Sequence, residues 1–248
     1  MASPQVLGLF LACAFLAEVI GTVAGFGAAT ILTPVAALFM DVKTAIAVVA
    51  CFHLFGNASR LVWFRGAVQW RIWWQFGLTG VLASLLGALV AGGLSSDAVK
   101  ACLGAFLLIY VGGSLAPFVR LQLPRHAATL VGGGLLSGFV AGLIGTGGAI
   151  RSACLLVFGL PPELYIATSA AIALVVDATR LPVYLAQRAI PASMGVILAA
   201  LLVVAFAGSW LGRRLVHRLP PAVFKGVVLT MLAVIGGKLL IEGWHGLG

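Results

Sequence analysis

Ten apolar runs dominate the chain, at about 5–24, 27–40, 43–64, 70–92, 98–118, 127–145, 148–160, 163–185, 192–212 and 221–243. Most are long enough to cross a ~30 Å hydrocarbon core as helices. The pattern predicts an all-α integral membrane protein. Two runs, 27–40 and 148–160, are short. Each follows a glycine cluster, "AGFGAAT" (24–30) or "IGTGGAI" (144–150). Each glycine-linked pair could be two crossings or one re-entrant hairpin; loop charge does not decide, and the short second members favour a hairpin or broken helix.

The two short runs occupy corresponding places in two halves. Gly25 and Gly27 match Gly145 and Gly147 at an offset of 120 residues, and Asn57-Ala-Ser-Arg60 matches Asp177-Ala-Thr-Arg180 at the same offset. This predicts one duplicated membrane domain spanning 1–248, with repeats over 1–118 and 127–248 joined by a linker over 119–126.

Composition supports the membrane reading. The 248 residues are 62% hydrophobic and 8% charged, whereas a soluble domain is about a quarter charged. The net charge of +9 comes from arginines grouped in short loops, with no basic stripe interleaved with aromatics, so nucleic acid is not an expected partner. Arg65 with Arg71, Arg120 with Arg125, and Arg213, Arg214 and Arg218 mark three loops. The positive-inside rule places all three in the cytoplasm. Each half then has five segments, an odd number, so the repeats are inverted and both termini lie outside a plasma (inner) membrane. The first Lys or Arg is Lys43, so residues 5–24 lack a basic signal-peptide n-region and are expected to be a mature membrane segment. "VQWRIWW" (68–74) reads as an interfacial aromatic belt.

Inverted repeats with short, glycine-interrupted segments in matching positions point to a transporter site near the bilayer midplane. A helix that starts after such a turn presents free N–H groups and the positive end of its dipole. Two such ends, at Ala28–Thr30 and Gly148–Ile150, are candidates to face one anion. Arg151 lies in the first turn of the second short helix, where a cation is unfavourable for the helix itself and calls for a negative partner. The alternative is that these glycines serve only close helix packing. His53, Asn57 and Arg60 share one helix face, as do Ser169, Asp177 and Arg180. These residues are read as a pathway or gate lining, against the alternative that the two arginines snorkel to the interface. Asp177 and Glu18 are the acids set within apolar runs and are the candidates for proton coupling; no partner for Glu18 is evident.

The stretch "GFGAATILTP" (25–34) resembles the signature of the TauE/SafE sulfite exporter family, also called the toluene sulfonate uptake permeases. "GTGGAIRSAC" (145–154) repeats it, and "LPPELYIATSAAIAL" (160–174) is similar to that family's second signature. Ala28 and Ala29 stand where the family often has glycine, and Cys154 stands where the first half has Pro34. The resemblance spans nearly the whole chain. It implies secondary, proton-coupled transport of small sulfur-containing anions such as sulfite or organosulfonates. The substrate-binding set is then Gly25, Gly27, Ala28, Thr30, Gly145, Gly147, Gly148 and Arg151.

No cofactor is expected. The four cysteines are widely separated with no CxxC, the histidines form no HExxH, and no phosphate-binding GxxxxGK[ST] is present, so no enzyme constellation or metal site is expected. A passive anion channel and a non-transporting assembly factor are the competing readings. Homo-oligomerisation, the direction of transport and the particular anion are not encoded.

Overall fold

The computed structural model describes residues 4–25, 27–64, 66–116, 124–216, 218 and 222–247, the side chains of 222–225 excepted. Arg65, Arg120 and linker residues 119–123 lie outside these. Among the described residues ten helices follow one another: α1 (Pro4–Ala24), α2 (Ala29–Ala36), α3 (Val42–Trp63), α4 (Trp70–Gly93), α5 (Ser96–Leu115), α6 (Ala127–Ile144), α7 (Gly148–Leu156), α8 (Pro162–Ala186), α9 (Ala192–Leu215) and α10 (Ala222–His245). Eight are long and apolar enough to span a membrane. The short α2 and α7, with eight and nine residues, rise only about 12–14 Å each.

Local sequence explains the boundaries. Asp41 caps α3, its carboxylate accepting from the Lys43 and Thr44 N–H groups at 3.0 and 3.5 Å. Ser95 caps α5 through the Ala98 N–H at 3.1 Å. Pro161 and Pro162 open α8, where a missing N–H costs nothing. Gly145 ends α6 with φ +78°, a left-handed cap that suits glycine. Inside α4 a π-helical stretch runs over Trp73–Gly77, which the apolar pattern does not predict. Trp70 before it and Trp74 within it are each 59% exposed, as expected of a lipid-facing or interfacial belt. Outward-facing leucines and valines along α4, α6 and α9 present the surface that lipid would cover.

Each glycine-linked pair returns to its own start. The rings of Phe10 on α1 and Phe39 just after α2 lie 5.7 Å apart. Arg125, just before α6, donates through Nε to the Val157 carbonyl at the end of α7 at 2.6 Å. The second limbs, eight and nine residues long, are too short to cross a ~30 Å core, in keeping with the hairpin or broken helix that their short runs favour.

Small residues set the remaining packing. A Cβ on Gly138 would sit 2.1 Å from the Gly80 carbonyl oxygen, and one on Gly87 2.2 Å from that of Phe139. α4 and α6 thus run parallel with backbones in direct contact, which is how helices associate in lipid. α1 and α9 are also parallel: Gly208 lies against Glu18, and Gly212 against Thr22. α5 and α10 run antiparallel, Gly104 meeting Gly236 and Leu240 while Gly243 meets Ala101. α3 packs against α8.

The described arginine-bearing loops come out at one end of the helices. Arg71 and Arg125 line a single cavity of about 310 Å³ together with Gln69, Gln75 and His126. Arg213 stacks on Trp63 at the C-terminal end of α3, 5.5 Å from its ring.

Candidate functional site

The helix face that carries His53, Asn57 and Arg60 meets the α8 face that carries Ser169, Asp177 and Arg180, and all six side chains are buried. Asp177 joins the two. Its Oδ2 accepts from His53 Nδ1 at 2.7 Å and from Asn57 Nδ2 at 3.4 Å. Its Oδ1 accepts from Arg180 Nε at 3.0 Å and Nη2 at 2.7 Å. Arg180 also donates to the Ala141 carbonyl, and Tyr184 donates to the Gly142 carbonyl at 2.5 Å.

The first half builds a matching cluster. Arg60 Nη2 lies 2.5 Å from Glu18 Oε1, Nη1 2.8 Å from Asn57 Oδ1 and Nε 2.9 Å from Thr22 Oγ1. Ser209 donates to Glu18 Oε1 at 2.6 Å. Arg60 and Arg180 are 3% and 1% exposed, so neither snorkels. Their heads are held inside the protein by a carboxylate each. A buried charge without such a partner costs several kcal/mol, on the order of 2.5–3.5 on insertion scales.

The glycine turns sit beside this layer. Thr146 Oγ1 donates to Thr30 Oγ1 at 3.0 Å, and Thr33 Oγ1 to the Gly145 carbonyl at 3.4 Å. The starts of α2 and α7 therefore lie together. Neither short helix has a side-chain N-cap: no side chain bonds from Ala28 or Gly147. Arg151, 4% exposed, donates through Nε to Ser169 Oγ at 2.9 Å, and Ser169 donates to the Gly25 carbonyl at 3.0 Å. Gly27 has φ +86°, and a Cβ there would fall 2.3 Å from His53 Nε2 and 3.5 Å from Arg151 Nη2. At Gly25, φ +74°, a Cβ would collide with the Tyr165 ring. Both turns require glycine for conformation and for space.

Gly25, Gly27, Thr30, Gly145, Arg151, His53, Asn57, Arg60, Ser169, Asp177, Arg180 and Glu18 thus form one connected buried region. Gly147 accepts from Ser137 at 2.8 Å, and Ala28 and Gly148 are buried at the two helix starts. The structure supplies the partner that the sequence withheld from Glu18, namely Arg60. Sequence reasoning missed Thr22, Ser137, Thr146, Tyr165, Tyr184 and Ser209. Thr146 and Tyr165 lie inside the stretches 144–150 and 160–174, and Tyr184 one turn beyond Arg180; Thr22, Ser137 and Ser209 carried no positional signal.

Such a layer, with arginine heads and two dipole-bearing helix starts, can stabilise a small anion away from water. The sulfite exporter TauE/SafE family model matches residues 10–239. The chain belongs to the TauE/SafE family. The match takes in both short helices and every residue of the buried network. TauE/SafE is a family of membrane transporters, and the eight apolar spans make this member a multipass membrane protein. No curated protein and no solved structure matches the chain.

Proposed function

We propose that the chain is a secondary transporter in the plasma membrane that moves sulfite or a small organosulfonate, coupled to protons. The observation that carries this reading is the meeting of two uncapped short-helix starts beside Arg151, at Thr30 and Thr146. The anion is held by Arg151 and by the N–H groups at the two helix starts, Ala28–Thr30 and Gly148–Ile150; Gly25, Gly27 and Gly145 shape the turns, their own N–H groups donating to the Gly21 and Ala141 carbonyls. His53, Asn57, Arg60, Ser169, Asp177 and Arg180 line or gate the path. The coupling proton belongs to the Asp177 cluster, with Glu18 as the other carboxyl set in an apolar helix.

The two halves are proposed to be inverted repeats. The register supports this: α4 and α6 are parallel, as are α1 and α9, while α5 and α10 are antiparallel. α4 is joined to α5 by two residues and α9 to α10 by six, too few to recross the bilayer. α1 and α6 then run in opposite directions, as inversion requires. With the arginine-bearing end in the cytoplasm, both termini lie outside.

Arg151→Ala tests the site. The variant should insert and fold but lose at least tenfold in affinity for a sulfonate or sulfite, since a charge-assisted bond contributes about 1.5–3 kcal/mol. Unchanged affinity would make Arg151 a packing element. Asp177→Asn tests coupling: it should retain exchange of anion across the membrane and lose accumulation driven by a pH gradient.

A further inference from the structure

His53 has one nitrogen committed and one not. Nδ1 lies 2.7 Å from Asp177 Oδ2, and an ionised carboxylate only accepts, so Nδ1 carries the hydrogen. Nε2 is buried with no hydrogen-bond partner among the described residues. It lies against the Gly27 turn, on the same point that Arg151 Nη2 approaches. In the neutral ring Nε2 holds a lone pair, which repels an anion at that point; once protonated, it donates to one.

The buried charges define what the region can hold. Arg60, Arg151 and Arg180 stand against Glu18 and Asp177. The other four acids of the chain, Asp41, Asp97, Glu163 and Glu242, lie at or near helix ends: Asp41 caps α3, Asp97 and Glu163 occupy first turns, and Glu242 pairs with Lys238 in α10. With His53 neutral, the region carries one positive charge in excess. The charged groups that act on His53 are Asp177 from α8, Arg151 from α7 and Arg60 from its own helix; Arg180 pairs with the same Asp177 and Glu18 with Arg60. One carboxylate is in contact with the ring. A monoanion neutralises the excess as it stands. A dianion leaves one negative charge in a low-dielectric layer, where an unbalanced charge is costly, and a proton on His53 Nε2 removes it.

We propose that His53 sets the charge class of the substrate: a doubly charged sulfur oxyanion enters with one proton on His53 Nε2, and a singly charged sulfonate enters without one. Asp177 positions the ring and fixes its tautomer. The inference rests on the anion-transport reading and deepens it, by locating the coupling proton and tying its stoichiometry to the valence of the anion.

The test uses the full-length protein in detergent at mildly alkaline pH, weakly buffered with an indicator dye, titrated with thiosulfate and sulfoacetate as dianions and methanesulfonate as a monoanion. About one proton should be taken up per dianion bound and none per methanesulfonate. Dianion affinity should fall about tenfold per pH unit as pH rises, as linkage to one proton requires. His53→Gln should abolish the uptake and erase the pH difference between the two classes. Dianion binding without proton uptake, or the same uptake for both classes in the parent protein, overturns the role of His53 while leaving anion binding in place. Binding of none of the three overturns the transport reading, and this inference with it. The parent measurement does not depend on how well the variant folds.

Discussion

Arg60→Leu is the substitution whose cost is best defined by the structure. Glu18 is fully buried, and its Oε1 is held by Arg60 at 2.5 Å and Ser209 at 2.6 Å. Removing the guanidinium leaves a carboxylate inside the protein with one hydroxyl donor and no cation. It also deprives Asn57 Oδ1 and Thr22 Oγ1 of their donor. Breaking one side of a buried ion pair costs about 3–5 kcal/mol, which is roughly a two- to four-decade loss in the folding equilibrium. Removing both charges in Glu18→Gln/Arg60→Leu should recover most of it, because the uncompensated charge is gone. Reversible unfolding in mixed detergent micelles, read by tryptophan fluorescence, gives both numbers. An arginine in an exposed, water-facing pair would change stability by about 1 kcal/mol or less. A loss that small for the single variant, or a double variant no better than the single one, would refute the assignment of this pair as a buried strut.

Gly27→Ala should strain the turn by about 1–2 kcal/mol, since φ there is left-handed, and push His53 aside; anion binding measured by calorimetry should fall sharply, while Gly8→Ala, with nothing within 4 Å of its Cβ, should bind as the parent does. Gly138→Leu should separate α4 from α6, whose backbones touch at Gly80, and its melting temperature in detergent should drop below that of every other single variant named here. Tags at residues 1 and 248 should both be labelled from outside intact cells; labelling of either one only after permeabilisation contradicts the inverted arrangement.

The helix boundaries were legible because apolar runs end at residues with clear physical roles: Asp41, Ser95 and Pro161 open helices, and Gly145 closes one. The π-helical stretch at Trp73–Gly77 was not legible, because a π-turn leaves the apolar pattern unchanged. The short runs favoured a hairpin or broken helix by length alone, and loop charge added nothing. Two crossings and one returning hairpin leave the next segment on the same side, so loop charge cannot tell them apart; the eight- and nine-residue lengths of α2 and α7 do. At the site, the charged members stood out because ionisable residues are rare in apolar runs. The hydroxyl partners did not. Ser and Thr in membrane helices commonly bond their own helix, as Ser59, Thr79 and Thr179 do with carbonyls one turn back. Nothing local distinguishes those from Thr22 or Ser209, whose partners lie 38 and 191 residues away.

The central claim is that the layer around Arg151 carries a sulfur-containing anion across the membrane by a coupled mechanism. Purified protein reconstituted into liposomes, with sulfite and a small sulfonate offered at equal concentration inside and out, tests it through an imposed pH gradient. The account predicts net accumulation of at least one of these anions against its own gradient, lost when the pH gradient is collapsed by an ionophore. Flux that only ever runs downhill, or no flux at all, contradicts it.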